Sequence, residues 1–216
     1  MNLTSKGKAR VLIAVFGVMV ITAALMPTAT QAQLFSKQFS ADMSMKTPHG
    51  VQTGKIYVGD QKIRWDMNTQ GHQGEMITDA AAKTAYMIMP QQKMYIEYNM
   101  RDAQRQGAID WSQMKHFDPN NPCATSEDYT CKKVGSESVN GRSCDKWLFT
   151  SKTEPSKTTT AWIDQKLHFP VRSETSNGVE WNLANIQEGS QDASLFQVPA
   201  GYRKFDMGAM GTRQPQ

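Results

Sequence analysis

Methionine, cysteine, histidine and tryptophan are the residues whose chemistry could define a function in this sequence. Of its 14 methionines three lie in the first 32 residues, and 11 follow: Met43, Met45, Met67, Met76, Met87, Met89, Met94, Met100, Met114, Met207 and Met210. Unbranched thioethers repack easily and suit surfaces that accept irregular apolar partners. Met43 with Met45, and Met87 with Met89, are two residues apart, so each pair shares one face of a strand. The methionines leave two main readings, ordinary core filling and a deformable ligand cavity. Thioethers are also soft ligands for Cu(I). No His or Cys stands beside a methionine cluster along the chain, so the spacing points to neither a metal nor a cofactor. The five tryptophans, Trp65, Trp111, Trp147, Trp162 and Trp181, read as core residues or as the lining of an apolar pocket.

Signals for catalysis are weak. His49, His72, His116 and His168 are scattered through turns and loops, in no metal-spaced motif. The chain has no G-x-S-x-G elbow and no Gly-rich phosphate loop. Asp145 beside Cys144 disfavours a thiolate there. A non-enzymatic protein is expected.

Cys123, Cys131 and Cys144 allow three disulfide pairings. The stretch Asp118-Pro119-Asn120-Asn121-Pro122-Cys123 is rich in turn formers, which favours Cys123–Cys131. Cys144 falls in a predicted strand, where an unpaired cysteine serves as a small buried hydrophobe.

The elements that position these residues follow an export signal. Lys6, Lys8 and Arg10 precede an apolar run, Val11 to Met26, that Pro27 ends. Thr30-Gln31-Ala32 then offers small residues for cleavage after Ala32. The apolar run is shorter than the roughly 20 residues that span a bilayer, so a cleaved signal and a periplasmic product are expected. Removing residues 1–32 takes three of 24 basic residues and none of 20 acidic ones, so net charge falls from +4 to +1. No basic patch with interleaved aromatics remains, and nucleic acid is not an expected partner.

The remainder reads as one domain, 33–206, with a frayed tail, 207–216. Apolar and polar residues alternate from Phe39 to Lys46 and from Ile63 to Asn68, the period of half-buried strands. Short strands at Lys55–Val58, Met76–Thr78, Tyr86–Met89 and Met94–Tyr98 complete a first meander. Residues 99–114 lose that period and carry helix formers, which predicts one or two short helices. A second meander opens on a hairpin at Asn140-Gly141. It continues through Thr158–Ile163 and a hairpin at Ser176-Asn177-Gly178, for about eleven strands in all.

Several segments then resemble, in order, a known superfamily. Gly54-Lys55-Ile56-Tyr57-Val58 with Lys62-Ile63-Arg64-Trp65-Asp66 is similar to the early strands of the periplasmic outer-membrane lipoprotein carriers, the LolA/LolB-like proteins. Ile77-Thr78-Asp79, Thr84-Ala85-Tyr86 and Met94-Tyr95 resemble the strand pair that follows there. Ala161-Trp162-Ile163-Asp164 with Phe169-Pro170-Val171 resembles a pair shared by lipoprotein-sorting relatives, and Asp192 to Tyr202 the close of an exported branch.

The resemblance implies a mainly-β fold: one strongly curved antiparallel sheet, a half-barrel of about eleven strands, wrapping a few short helices. It implies an apolar cavity on the concave face that shelters acyl chains, and so a lipid or a lipidated protein as partner. On the strand phases above, Met43, Trp65, Met67, Ile96 and Trp162 would line that face, and Trp65→Asp would weaken binding without unfolding. The alternative it implies is an envelope-stress sensor or anti-sigma regulator that binds an envelope protein. The carriers have an Arg-Pro after the second strand that latches a helical lid; this chain has Gly59-Asp60.

Overall fold

The computed structural model describes Phe35 and residues 37–69, 71–100, 118–124 and 126–206. The export signal, the tail 207–216 and the predicted helices from residue 101 onward lie outside the described residues. Asn99, expected to open a helix, instead ends a strand.

The first meander comprises β1 (Phe39–Thr47), β2 (Gly50–Val58), β3 (Lys62–Thr69), β4 (His72–Asp79), β5 (Thr84–Met89) and β6 (Met94–Asn99). The second comprises β7 (Tyr129–Val139), β8 (Arg142–Ser151), β9 (Thr158–Asp164), β10 (Pro170–Thr175) and β11 (Glu180–Glu188). A two-residue β12 (Arg203–Lys204) closes the chain. All twelve form one sheet in the order β12-β6-β5-β4-β3-β2-β1-β11-β10-β9-β8-β7. The antiparallel pair β1–β11 joins the meanders, and β12 runs parallel to β6.

This corrects the expected half-barrel wrapped around helices. The sheet is open, with β7 at one edge and β12 at the other. Among the described residues Met100 is helical, and the other helical elements are two short 3-10 turns, Pro90–Gln92 and Ala193–Phe196. The edges carry features that discourage further pairing. Between Lys133 and Gly135 the β7 ladder shifts register, and Lys132 and Lys133 are exposed. At the other edge, β12 covers only Met94 and Tyr95 of β6.

Local chemistry sets the turns. Asn140 and Gly141 have φ of 50° and 79°, the left-handed pair a two-residue hairpin requires. Asn185, at φ 51°, sits at an irregularity between β1 and β11 and donates from Nδ2 to Asp42 Oδ2 at 2.7 Å.

Two buried clusters cover the sheet. In the larger, Phe169 meets Phe39 and Phe35 edge-on, with centroids 5.2 and 5.8 Å away, among Ile56, Val58, Ile63, Leu167 and Leu183. Each such side chain contributes about 1.5–3 kcal/mol through burial. The smaller joins Ile77, Ile88 and Phe196, with Tyr57, Tyr86 and Tyr95 against it. Ile77 alternates with Met76, so the Phe196 segment packs on the other face of the sheet.

Gly59 takes part in this packing. A Cβ there would stand 2.7 Å from two ring carbons of Phe196. Gly59→Ala is expected to displace that ring and cost about 1–3 kcal/mol, measured as a lower denaturation midpoint. An unchanged midpoint would show that the 193–202 segment is loosely held.

Candidate functional site

Strand register builds a methionine-lined face. One row runs Ala41–Ile56–Trp65–Met76–Met87–Ile96 across β1 to β6, each residue opposite the next. The adjacent row begins Met43–Gly54–Met67–Gly74. Glu75 pairs with Ile88, so the same register carried one residue further sets Met89 opposite Gly74, and Met89 pairs with Met94. Burial declines along the rows. Met43 and Trp65 are buried, Met67, Met76, Met89, Met94 and Ile96 are half-buried, and Met87 is 44 % exposed.

Of the five residues expected to line a pocket, Met43, Trp65 and Trp162 join the larger buried cluster, with Met67 packed against it. Ile96 lies at the far end of the row, on β6. Trp162 also has polar neighbours. Its ring centroid is 4.6 Å from Lys146 Nζ and 4.7 Å from the Arg172 guanidinium carbon, and its indole N–H donates to Glu137 Oε1. Such contacts suit a ring fixed in place rather than one waiting for an apolar ligand.

The opposite face bears a groove of about 610 Å³ whose walls carry polar residues, with Met43, Gly54, Met67 and Gly74 also lining it. One wall is the cross-strand row Asp42–Lys55–Asp66–Glu75, the other Ser44–Thr53–Asn68–Gln73. Asp66 and Glu75 stand directly opposite each other, a repulsive placement for two carboxylates. Arg64 offsets it, with Nε 2.5 Å from Asp66 Oδ1 and Nη2 3.0 Å from Glu75 Oε2. The second approach is an ion pair without hydrogen-bonding geometry, since Glu75 Oε2 is buried and accepts no hydrogen bond. Burial raises the Glu75 pKa, Arg64 opposes the rise and Asp66 adds to it. Burial works against the Arg64 charge, but the Asp66 hydrogen bond and the two carboxylates hold its pKa above the usual arginine value. Arg64 also donates from Nη1 to the Leu195 carbonyl at 3.2 Å, tying the groove to the C-terminal segment. The groove is a self-compensated charge lattice.

Cys123 and Cys131 are bridged, with Cα atoms 5.6 Å apart, and Cys144 is free and buried. Burial, with the Asp164 charge, pushes the Cys144 thiol up to about 11, so it is not a nucleophile at neutral pH. Among the described residues no group of three His, Cys, Asp or Glu is placed to hold a metal ion.

Sequence reading placed His72 in a turn, apart from the methionines. The register puts it on the methionine face, since His72, Gly74 and Met76 alternate along β4. The H-x-G-x-M spacing is the signal that could have shown this.

Comparison with known proteins bears on the fold. No curated protein matches the sequence. An uncharacterized conserved protein from Thermus thermophilus superposes with a TM-score of 0.55 at 9% identity, over 79% of this chain and 90% of that one. A crystal structure of MucB gives 0.51 at 16% identity over 76% of this chain, which spans only 58% of the MucB chain. A LolA superfamily protein from Nitrosomonas europaea gives 0.35 at 9% identity, over 75% and 90% of the two chains, too low to carry an argument. The structural relationship to MucB is distant and one of fold alone. Sequence relationship is more direct. Residues 40–168, well over half of the chain, match the Domain of unknown function DUF4412, and the chain belongs to that family.

Proposed function

We propose that this chain is a non-enzymatic protein of the periplasm, delivered by removal of residues 1–32, that binds an apolar segment of a protein partner on its methionine-lined face. The observation that carries the reading is the fall in burial along the row from Trp65 to Met87, which leaves a thioether 44 % exposed beside half-buried Met76 and Ile96. Exposed apolar surface of this kind marks interaction sites, and methionine adapts to partners of irregular shape. A protein partner also accords with MucB, which in Pseudomonas aeruginosa has been crystallised in complex with MucA. An acyl chain is the second reading, since the same row is apolar from Ala41 to Ile96. A buried chain would gain about 0.8 kcal/mol per methylene.

A photo-crosslinking residue at Met87, introduced in cells and followed by mass spectrometry, tests both readings. One defined protein should be captured, and Met87→Glu should weaken its binding by roughly tenfold or more, about 1.4 kcal/mol. Full binding by Met87→Glu would overturn the proposed surface. Lipid in solvent extracts, together with binding of a fluorescent fatty acid that Met87→Glu abolishes, would make the acyl chain the occupant.

A further inference from the structure

Gly74 stands at the centre of a cross of soft donors. Met67 is its partner on β3, and Met89 faces it from β5 by the register of Glu75 with Ile88. His72 and Met76 flank it along β4, two residues away on either side and on the same face. Directly opposed positions have Cβ atoms about 4.5–5.5 Å apart, and diagonal ones about 7–8 Å, within reach of long side chains. The central position has no side chain, and no described atom lies within 4 Å of where a Cβ would stand. Register thus sets three methionines and one histidine around a glycine on one face of the sheet. His72 is exposed, and Met67, Met76 and Met89 are half-buried.

We propose that His72, Met67, Met76 and Met89 around Gly74 form a binding site for a soft monovalent metal ion, Cu(I). Thioethers select Cu(I) over the harder divalent ions, imidazole also binds copper, and the ring contributes no carboxylate to favour magnesium or calcium. Three thioethers with one nitrogen supply the low-coordinate soft donor set this ion takes. Binding leaves the oxidation state unchanged. Methionine flexibility, which lets the face adapt to an apolar partner, also lets the sulfurs converge on an ion over the glycine.

The test uses the purified protein with its disulfide intact. Ag(I), a soft monovalent mimic that needs no reductant, is titrated by calorimetry and by NMR of methyl-labelled methionine. Cu(I) is then titrated anaerobically against a chromophoric chelator. One ion per chain is expected, with shifts at the Met67, Met76 and Met89 methyls and none at Met43. Cys144→Ala, which removes the free thiol, should bind as the unaltered protein does. The triple variant Met67→Leu/Met76→Leu/Met89→Leu should lose at least about a hundredfold in affinity, about 2.7 kcal/mol. Gly74→Ala, which puts a methyl group into open space, should weaken binding while retaining the fold. Failure to take up either ion, shifts confined to other methionines, or full binding by the triple variant would overturn the site. Loss of partner binding with Met87→Glu tests the other surface function separately.

Discussion

Asp164→Ala is expected to cost about 3–5 kcal/mol of folding stability, the range seen when one member of a buried, hydrogen-bonded charge pair is removed. Asp164 is 1 % exposed at the end of β9. Its Oδ1 accepts from the Lys166 and Leu167 backbone N–H groups at 2.8 and 2.7 Å, and its Oδ2 from Arg142 Nε. Arg142 also donates to Glu188 at 2.9 Å, and Lys166 Nζ lies 2.7 Å from the other Glu188 oxygen. The carboxylate therefore pins the turn 164–169 and anchors the β7–β8 hairpin to β11. That turn delivers Leu167 and Phe169, both essentially fully buried, to the larger cluster. Alanine would leave the buried Leu167 N–H and the part-buried Lys166 N–H without this acceptor and Arg142 with Glu188 alone, while loosening the buried Phe169 ring. Asp164→Asn should recover part of the loss, because its amide oxygen can still accept from one N–H. Equilibrium denaturation decides. A loss below about 1 kcal/mol, an ordinary surface value, would show that the network is dispensable.

The parts of this fold legible in the sequence are those where one residue's environment follows from its neighbours along the chain. Phe39, Ala41 and Met43 alternate with polar residues and form β1 as read, and Asn140-Gly141 turns the β7–β8 hairpin. The Cys123–Cys131 bridge also followed from a local loop. Segments held by partners rather than by their own pattern were missed. Gly50 to Gly54 has no apolar period, yet it pairs with Met43 to Thr47 of β1 and opens β2. Tyr129 to Lys133 is polar because β7 is an edge with little to bury, and strand pairing with β8 alone makes it a strand. Whether the sheet closes depends on its edges, which no alternation pattern reports. The methionine face was half legible: Met87 and Met89 share a face by spacing alone. Placing His72 beside Met67 and Met89 required cross-strand register, which sequence spacing does not contain. Trp162 was assigned to an open pocket, but Lys146, Arg172 and Glu137 come to it from three other strands.

Trp65→Asp is expected to unfold the protein, contrary to the sequence reading in which it weakens binding alone. Trp65 is 7 % exposed, and on its own face it lies between Ile56 on β2 and Met76 on β4. Aspartate would remove the indole from the larger cluster and set a carboxylate against two apolar neighbours. Losing a large core aromatic costs about 3–5 kcal/mol before any charge is counted. Burying the polar group without a partner adds about 1–3 kcal/mol. Together these approach the whole stability of an ordinary domain, roughly 5–15 kcal/mol. Met87 lies two strands further along the same row, and Met87→Glu should cost no more than about 0.5 kcal/mol, as a surface change does. The pair of variants thus separates the structural end of the row from its proposed binding end. Circular dichroism melts of both check this. A Trp65→Asp protein melting within roughly 2 °C of the original, a shift well under 1 kcal/mol, would place Trp65 in a solvent-filled cavity and restore it as a binding residue. A melt that collapses for Trp65→Asp and holds for Met87→Glu would leave the less buried end of the row, exposed Met87 with half-buried Met76 and Ile96, as the place to look for a partner.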